Sequence, residues 1–149
     1  MSSRDSFPED LTQALVASYG RYSRTCNLGH SPIPSRDAIS GIVEDLLELL
    51  FPGFHRRQNL NEGNIRYHVG DLLDDLRNRL ADQISRVHSP EADSETVRGR
   101  SLDQAKGLLE RLPALRELLE ADVAAAYEGD PAAHSCQEVV FCYPGLYAV

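Results

Sequence analysis

The sequence predicts an all-α fold, and three observations carry this prediction. Apolar residues recur three or four positions apart over most of the chain, which is the spacing of one helix face. Residues typical of helix N-termini precede these stretches, and proline or glycine follows them. The one stretch with a strand-like composition, residues 139–143, would have no partner strand in an otherwise helical chain.

In the first third of the chain, the residue pattern predicts two helices separated by a loop. Ser6 and Glu9 fit a capping box, and the helix after them carries its apolar residues at helical spacing, namely Leu11, Leu15, Val16 and Tyr19. Residues 27–34 contain one glycine and two prolines and are predicted as a loop. Ser35 is the expected N-cap of the second helix. Phe51-Pro52-Gly53 ends it, because proline lacks the N–H that the helix needs and glycine permits the turn.

The longest predicted helix carries an apolar stripe from Ile65 to Val87 and closes at Ser89-Pro90. Residues 90–99 are polar and are predicted as loop or frayed helix. Ser101 with Gln104 then fits another capping box.

Three local signals organise the rest of the chain. Pro113 interrupts the next apolar stripe, so a kink or short break is expected there, and Gly129 ends that helix. Ser135 and Glu138 fit a capping box and favour a short helix over residues 137–143 rather than a buried strand. We therefore divide the chain into an N-terminal helix and loop (residues 1–34), a helical domain (35–128) and the start of a linker or helix (129–149).

Composition and charge exclude several classes of protein. The 149 residues are 42% hydrophobic and 26% charged, which is ordinary for a globular protein. The net charge of −8 argues against a nucleic-acid or anionic-membrane binder. No signal peptide and no membrane span are visible. The three irregularly spaced cysteines are not a disulfide framework, so reduced thiols and a cytoplasmic location are expected.

Few residues suggest chemistry by themselves. None of the five histidines has metal-binding spacing, and a structural or surface role is expected for His68. The carboxylates of Asp71, Asp74 and Asp75 are expected to be solvated or paired with Arg77 and Arg79. A locally basic stretch is also interpreted as a solvated face; it consists of Arg56, Arg57 and Arg66. No catalytic residue, metal site or cofactor site is predicted.

Asp130-Pro131-Ala132 is the motif with the most specific local interpretation. Aspartate at an N-cap followed by proline is a common helix start, because the carboxylate accepts unpaired N–H groups and proline has none to lose. The local pattern therefore predicts that Asp130 caps a helix.

Residues 124–149, AAAYEGDPAAHSCQEVVFCYPGLYAV, resemble the segment of serine acetyltransferases that joins their helical N-terminal domain to their hexapeptide-repeat domain. The shared pattern is a short alanine-rich helix, then Asp130-Pro131-Ala132, then an apolar helix ending near Gly145. Leu50-Phe51-Pro52-Gly53 and residues 70–80 are similar to the longer helical N-terminus of one bacterial branch. The resemblance therefore covers residues 40–149.

The resemblance implies an acyltransferase that moves acetyl from acetyl-CoA to the L-serine hydroxyl, making O-acetylserine for cysteine biosynthesis. It implies an N-terminal helical domain, a left-handed β-helix with an Asp-His general base, and oligomers joined through the helical domains. It assigns Asp130 to binding of the serine substrate. Acetyl-CoA is a co-substrate, and its site is not expected in this chain.

The departures from the family pattern are as informative as the matches. The chain contains no Asp-His dipeptide and no repeated hexapeptide. We therefore expect the N-terminal helical region of such an enzyme, truncated before the β-helix and inactive alone. The alternative is a free-standing helical oligomerisation or interaction module without catalysis.

Overall fold

The computed structural model describes residues 9–88 and 93–147. The predicted all-α class is confirmed, since these residues contain helices and no strand. The α-helices are α1 Glu9–Arg21, α2 Arg36–Leu50, α3 Ile65–Ser85, α4 Ser94–Leu109, α5 Leu112–Gly129 and α6 Cys136–Cys142. Two short 3-10 helices occupy Ser23–Thr25 and Pro144–Tyr147. The predicted cap at Ser6 and the predicted stop at Ser89-Pro90 lie outside the described residues.

The chain forms two compact units, residues 1–32 and residues 33–149. The first contains α1 and the 3-10 turn that follows it. The second contains α2 to α6. Within it α3 packs against both α2 and α4, while α5 packs against α2, α6 and the final 3-10 turn.

Helix α2 begins and ends where the sequence predicts. The Ser35 side chain accepts a hydrogen bond from the Ala38 N–H at 3.3 Å, which satisfies one of the unpaired donors of the first turn. At the other end Gly53 has φ +83, a conformation that glycine adopts without strain. The Arg116 guanidinium of α5 donates to the carbonyl oxygen of Leu50. This cation satisfies an unpaired carbonyl at the negative end of the helix dipole.

The predicted start of α4 is wrong. Ser101 does not cap a helix; it lies inside α4 and is completely buried. The cap is Asp93, whose carboxylate accepts a hydrogen bond from the Thr96 N–H at 2.8 Å. Small side chains at Ser101 and Ala105, one turn apart, are both completely buried and allow a neighbouring helix to approach closely. The Ser101 hydroxyl has no hydrogen-bond partner among the described residues.

Pro113 lies in the first turn of α5, where its missing N–H has no helical partner to lose. The break predicted at this point is confirmed, because α4 ends at Leu109 and α5 begins at Leu112.

Two buried apolar clusters hold the second unit together. The α2–α3 cluster consists of Ile42, Leu76 and Leu109. The α5–α6 cluster consists of Phe51, Leu119, Val123, Val139 and Val140. Phe51 follows α2 directly, so the second cluster joins the end of α2 to the C-terminal helices.

Two carboxylates of α2 are buried beside the first cluster, although side chains of this type usually face water. Asp45 is 3% exposed and Glu48 is 2% exposed. Asp45 is paired with the guanidinium groups of Arg56 and Arg79. Glu48 accepts a hydrogen bond from the Arg56 N–H at 2.9 Å and pairs with the His68 imidazole at 3.2 Å. These contacts fix the residue 51–64 loop and α3 against α2.

This network corrects one interpretation made from the sequence and confirms another. The basic stretch is not simply a solvated face, because Arg56 is bound to Glu44 and Asp45 of α2. The expected pairing on α3 is confirmed for Asp75 and Arg79, whose charged atoms are 2.8 Å apart. Arg79 therefore joins an exposed carboxylate to a buried one.

We predict that Arg79→Met lowers the free energy of unfolding by about 1.5 to 3 kcal/mol, because it removes a charged donor from buried Asp45. Urea unfolding measures the change. Arg86→Met is the matched control on the same helix, since Arg86 pairs with Asp82, which is 50% exposed, and exposed pairs contribute about 0–1 kcal/mol. Equal losses in the two variants would contradict the structural importance of the buried pair.

Candidate functional site

The Asp130-Pro131-Ala132 motif lies in the turn between α5 and α6. Asp130 is the residue that ends α5, and its backbone N–H donates to the Ala126 carbonyl at 3.2 Å. Its backbone is extended, with φ −112 and ψ 105, so the chain leaves the helix axis at this residue. The carboxylate is half-buried.

Both oxygens of the Asp130 carboxylate accept hydrogen bonds. Oδ1 accepts from the Ala132 N–H at 2.9 Å, and Oδ2 accepts from the Tyr143 hydroxyl. The first bond is an Asx turn, in which aspartate binds the backbone two residues ahead. The prediction that Asp130 caps the next helix is therefore wrong. The Asx turn takes the place of the cap, and α6 begins only at Cys136.

Helix α6 is the short helix that the sequence predicts, and Ser135 is its cap. The Ser135 hydroxyl oxygen accepts from the Glu138 N–H at 3.1 Å. The Glu138 carboxylate reaches back to the His134 N–H at 2.9 Å, one residue earlier than a standard capping box. The His134 imidazole also pairs with Glu138, at 3.2 Å. His134 is thus engaged with Glu138, although it stands four residues after Asp130.

The position of Asp130 depends on the α5–α6 cluster beneath it. Val139 is completely buried and Val140 is 5% exposed, so α6 is held firmly against α5. Tyr143 and Leu146 pack partly buried against the same cluster. A groove of about 270 Å³ lies beside Tyr143. It is lined by Leu119, Asp122, Ala126 and residues 143–146.

The Asp130–Tyr143 contact shifts the ionisation of both groups. The Tyr143 hydroxyl, and after it the Ala132 N–H, lower the pKa of Asp130 below its ordinary value of 3.8. The Asp130 carboxylate raises the pKa of Tyr143 from 10.0 to about 12. Each neighbour stabilises the form that makes the hydrogen bond, which is ionised aspartate and neutral tyrosine. Asp130 is therefore a carboxylate at neutral pH.

The direction of each shift gives the pH range of the contact. The raised pKa of Tyr143 means that its contribution to stability is complete below pH 10.0 and is lost as the pH rises through about 12. The lowered pKa of Asp130 means that its contribution is complete above pH 3.8 and is lost as the pH falls through the lowered value. The contact is intact across the physiological range.

The polar network of α2 and α3 is the other cluster with titratable side chains. Its two buried carboxylates are already bound by Arg56, Arg79 and His68. His68 therefore has a structural partner in Glu48, and its other ring nitrogen lies 3.4 Å from the Arg57 guanidinium. Over residues 9–88 and 93–147 no group of three or more His, Cys, Asp or Glu side chains is arranged to hold a metal ion.

Tyr143 is the residue that analysis of the sequence missed. Tyr143 ends the apolar run of residues 139–143, and the acceptor of its hydroxyl lies 13 residues away in the sequence. The available signal was the position of tyrosine at the end of that run, because a buried tyrosine usually finds a hydrogen-bond partner for its hydroxyl.

Comparison with known proteins identifies a relative of this chain. The chain is 35% identical over 126 residues to the Synechococcus elongatus protein described as "Serine acetyltransferase, plasmid". The chain is thus similar to a serine acetyltransferase over most of its own length. The alignment covers 79% of this chain and 40% of that protein, so the chain matches well under half of the length of its relative. No protein-family model matches the chain.

The match confirms the resemblance of the sequence to the serine acetyltransferases. Among the described residues, no helix of this chain is long and apolar enough to cross a membrane.

We predict that Asp130→Ala lowers the pKa of Tyr143 from about 12 toward 10.0, because the carboxylate that holds the phenol proton is removed. The difference in tyrosinate absorbance between the wild type and the Tyr143→Phe variant measures this pKa. Asp74→Ala is the matched control, since Asp74 is exposed and lies on α3. An identical titration of Tyr143 with and without the Asp130 carboxylate would show that the two side chains do not interact.

Proposed function

We propose that this chain is the N-terminal part of a serine O-acetyltransferase, which transfers acetyl from acetyl-CoA to the hydroxyl of L-serine. The similarity to the Synechococcus elongatus protein supports the family, and the all-α fold supports an N-terminal helical region. The proposed site is based on the Asp130 carboxylate. This group is ionised and is held at the end of α5 in the Asp-Pro-Ala motif.

In this proposal Asp130 binds the ammonium group of L-serine. Its two fixed hydrogen bonds leave further acceptor capacity on each oxygen, since a carboxylate has about four acceptor sites. A hydrogen bond between an ionised donor and an ionised acceptor is among the stronger polar contacts in proteins. The ammonium contact orients the amino acid, while the hydroxyl that reacts lies two carbons away and needs a base from elsewhere.

The acetyl transfer itself requires groups that this sequence does not supply. The chain has no Asp-His dipeptide and no hexapeptide repeat. We therefore expect the general base and the acetyl-CoA site outside these 149 residues, and no turnover by the chain alone. The three unpaired cysteines support a reducing compartment, in keeping with a cytoplasmic enzyme of amino-acid biosynthesis.

Self-association through the helical domain is part of the same proposal. A groove of about 770 Å³ runs between the end of α2, α3 and α5. Its floor is apolar and includes Leu49, Ile65, Val69, Leu73 and Leu112, while Arg116, Glu117 and Glu120 lie at its edge. A second copy is the proposed occupant, because a two-fold interface uses the same patch of both copies and this patch is mostly apolar with both signs of charge.

The groove also favours the alternative function, a helical interaction module without catalysis. The C-terminal segment favours the enzyme. Phe141 is 63% exposed on α6 and contacts Phe54 with ring centroids 5.2 Å apart, so α6 carries an exposed aromatic ring. A module sealed at its C-terminus would bury this ring, whereas a catalytic domain that follows α6 would cover it.

The test is an acetyltransferase assay on this chain and on the chain extended through the reading frame that follows Val149. We predict turnover only in the extended protein. In that protein Asp130→Ala should lower kcat/KM for L-serine by about 10- to 100-fold, because a charged hydrogen bond to the substrate is lost. Asp103→Ala, which removes an exposed carboxylate from α4 away from the groove beside Tyr143, is the control.

Two results would contradict the proposal. Inactivity of both proteins would favour the interaction module. Activity of the extended protein with an unchanged kcat/KM for L-serine in Asp130→Ala would leave the family relationship intact and remove the substrate role of Asp130.

A further inference from the structure

The Tyr143 side chain is anchored at both ends. Tyr143 follows the last residue of α6, and its backbone N–H donates to the Val139 carbonyl at 3.1 Å. Its ring packs partly buried against the α5–α6 cluster. Its hydroxyl donates to Oδ2 of Asp130. The ring is therefore held by apolar packing while the polar tip reaches the turn at the end of α5.

This contact decides how the Asp130 carboxylate is oriented. The Ala132 N–H alone would hold only Oδ1, and the carboxylate could still rotate about its bond to Cβ. A second donor on Oδ2 restricts that rotation, since the two donors come from different parts of the chain. The acceptor sites that remain then point in fixed directions, which a ligand needs if it is to be held within about 0.5 Å of one position.

We propose that Tyr143 is a positioning residue for the L-serine site, and that its hydroxyl orients the Asp130 carboxylate toward the substrate ammonium. This inference rests on the substrate role of Asp130 proposed above. The ionisation of the pair agrees with the geometry, because the Tyr143 hydrogen bond lowers the pKa of Asp130 and so favours the charged form that an ammonium group requires. Tyr143 itself does not touch the substrate.

The contact is tested first in this chain, without reference to any reaction. The carboxyl pKa of Asp130 is measured by NMR titration in the wild type and in Tyr143→Phe, which removes one oxygen and keeps the ring. We expect the pKa of Asp130 to rise in the variant. Tyr67→Phe is the matched control, since Tyr67 is 76% exposed on α3, and it should leave the pKa of Asp130 unchanged. An unchanged pKa in Tyr143→Phe would overturn the proposal.

The consequence for the substrate is tested in the extended protein. Tyr143→Phe should raise KM for L-serine by about 2- to 10-fold, because the carboxylate keeps its charge but loses one of the two donors that orient it, and it should leave KM for acetyl-CoA unchanged. A general structural defect would instead affect both substrates. In the double variant with Asp130→Ala, Tyr143→Phe should add nothing, because Tyr143 acts only through Asp130. Equal effects on both substrates, no effect on either, or full additivity would each overturn the positioning role.

Failure of this inference is distinguishable from failure of the proposed function. If Asp130→Ala leaves the use of L-serine unchanged, the substrate role of Asp130 is wrong and the positioning role falls with it, whatever the NMR titration shows. If Asp130→Ala impairs the use of L-serine and Tyr143→Phe does not, Asp130 binds the substrate without help from Tyr143.

Discussion

The pairing of the two buried carboxylates of α2 with polar partners is the constraint on which the second unit of this protein depends. Asp45 and Glu48 lie on the inner face of α2, where an unpaired charge would be strongly unfavourable. Their partners come from the loop after α2 and from α3. The chain must therefore fold back over α2 in one particular way, and apolar packing alone would not impose so specific an arrangement.

The end of α2 connects this network to the helices that carry the candidate site. Phe51 leaves the helix and enters the α5–α6 cluster, while Arg116 of α5 binds the carbonyl of Leu50. The C-terminal helices are thus joined to α2 by an apolar contact and by a cation at the helix end. These contacts help to fix the position of Asp130, because Asp130 ends α5, the helix that carries Arg116. The site is a turn built on packed helices rather than an independent loop.

The sequence revealed the parts of this fold whose causes are local. Ser35 and Ser135 cap helices by bonding to residues three positions ahead, and Pro113 restricts its own turn, so their effects follow from neighbours in the chain. The start of α4 differs from the prediction, because Ser101 is completely buried inside the helix and the Asp93 carboxylate accepts the Thr96 N–H instead. Spacing predicts which residues could cap a helix and leaves open which of them does.

Local sequence patterns do not predict contacts between side chains that are far apart in the chain. Asp45 looks like a solvated helix residue until Arg79, 34 positions away, is brought beside it by the packing of α3. The Asp130 motif was located from the sequence, yet its carboxylate was assigned to the wrong hydrogen bonds. The role of Tyr143 was missed because the sequence does not indicate which acceptor the hydroxyl of a tyrosine in an apolar run will contact.

The short span of the Asp130–Tyr143 contact bears on the order in which the molecule assembles. The two residues are 13 positions apart, against 34 for Asp45 and Arg79. The entropy lost on closing a loop grows with its length, by about 0.6 kcal/mol for each doubling. The Asp130–Tyr143 contact therefore closes with a smaller entropic cost than the Asp45–Arg79 contact. The Asp130 carboxylate receives its hydrogen bonds from residues close to it in the sequence, and packing against the rest of the unit fixes the position of this turn.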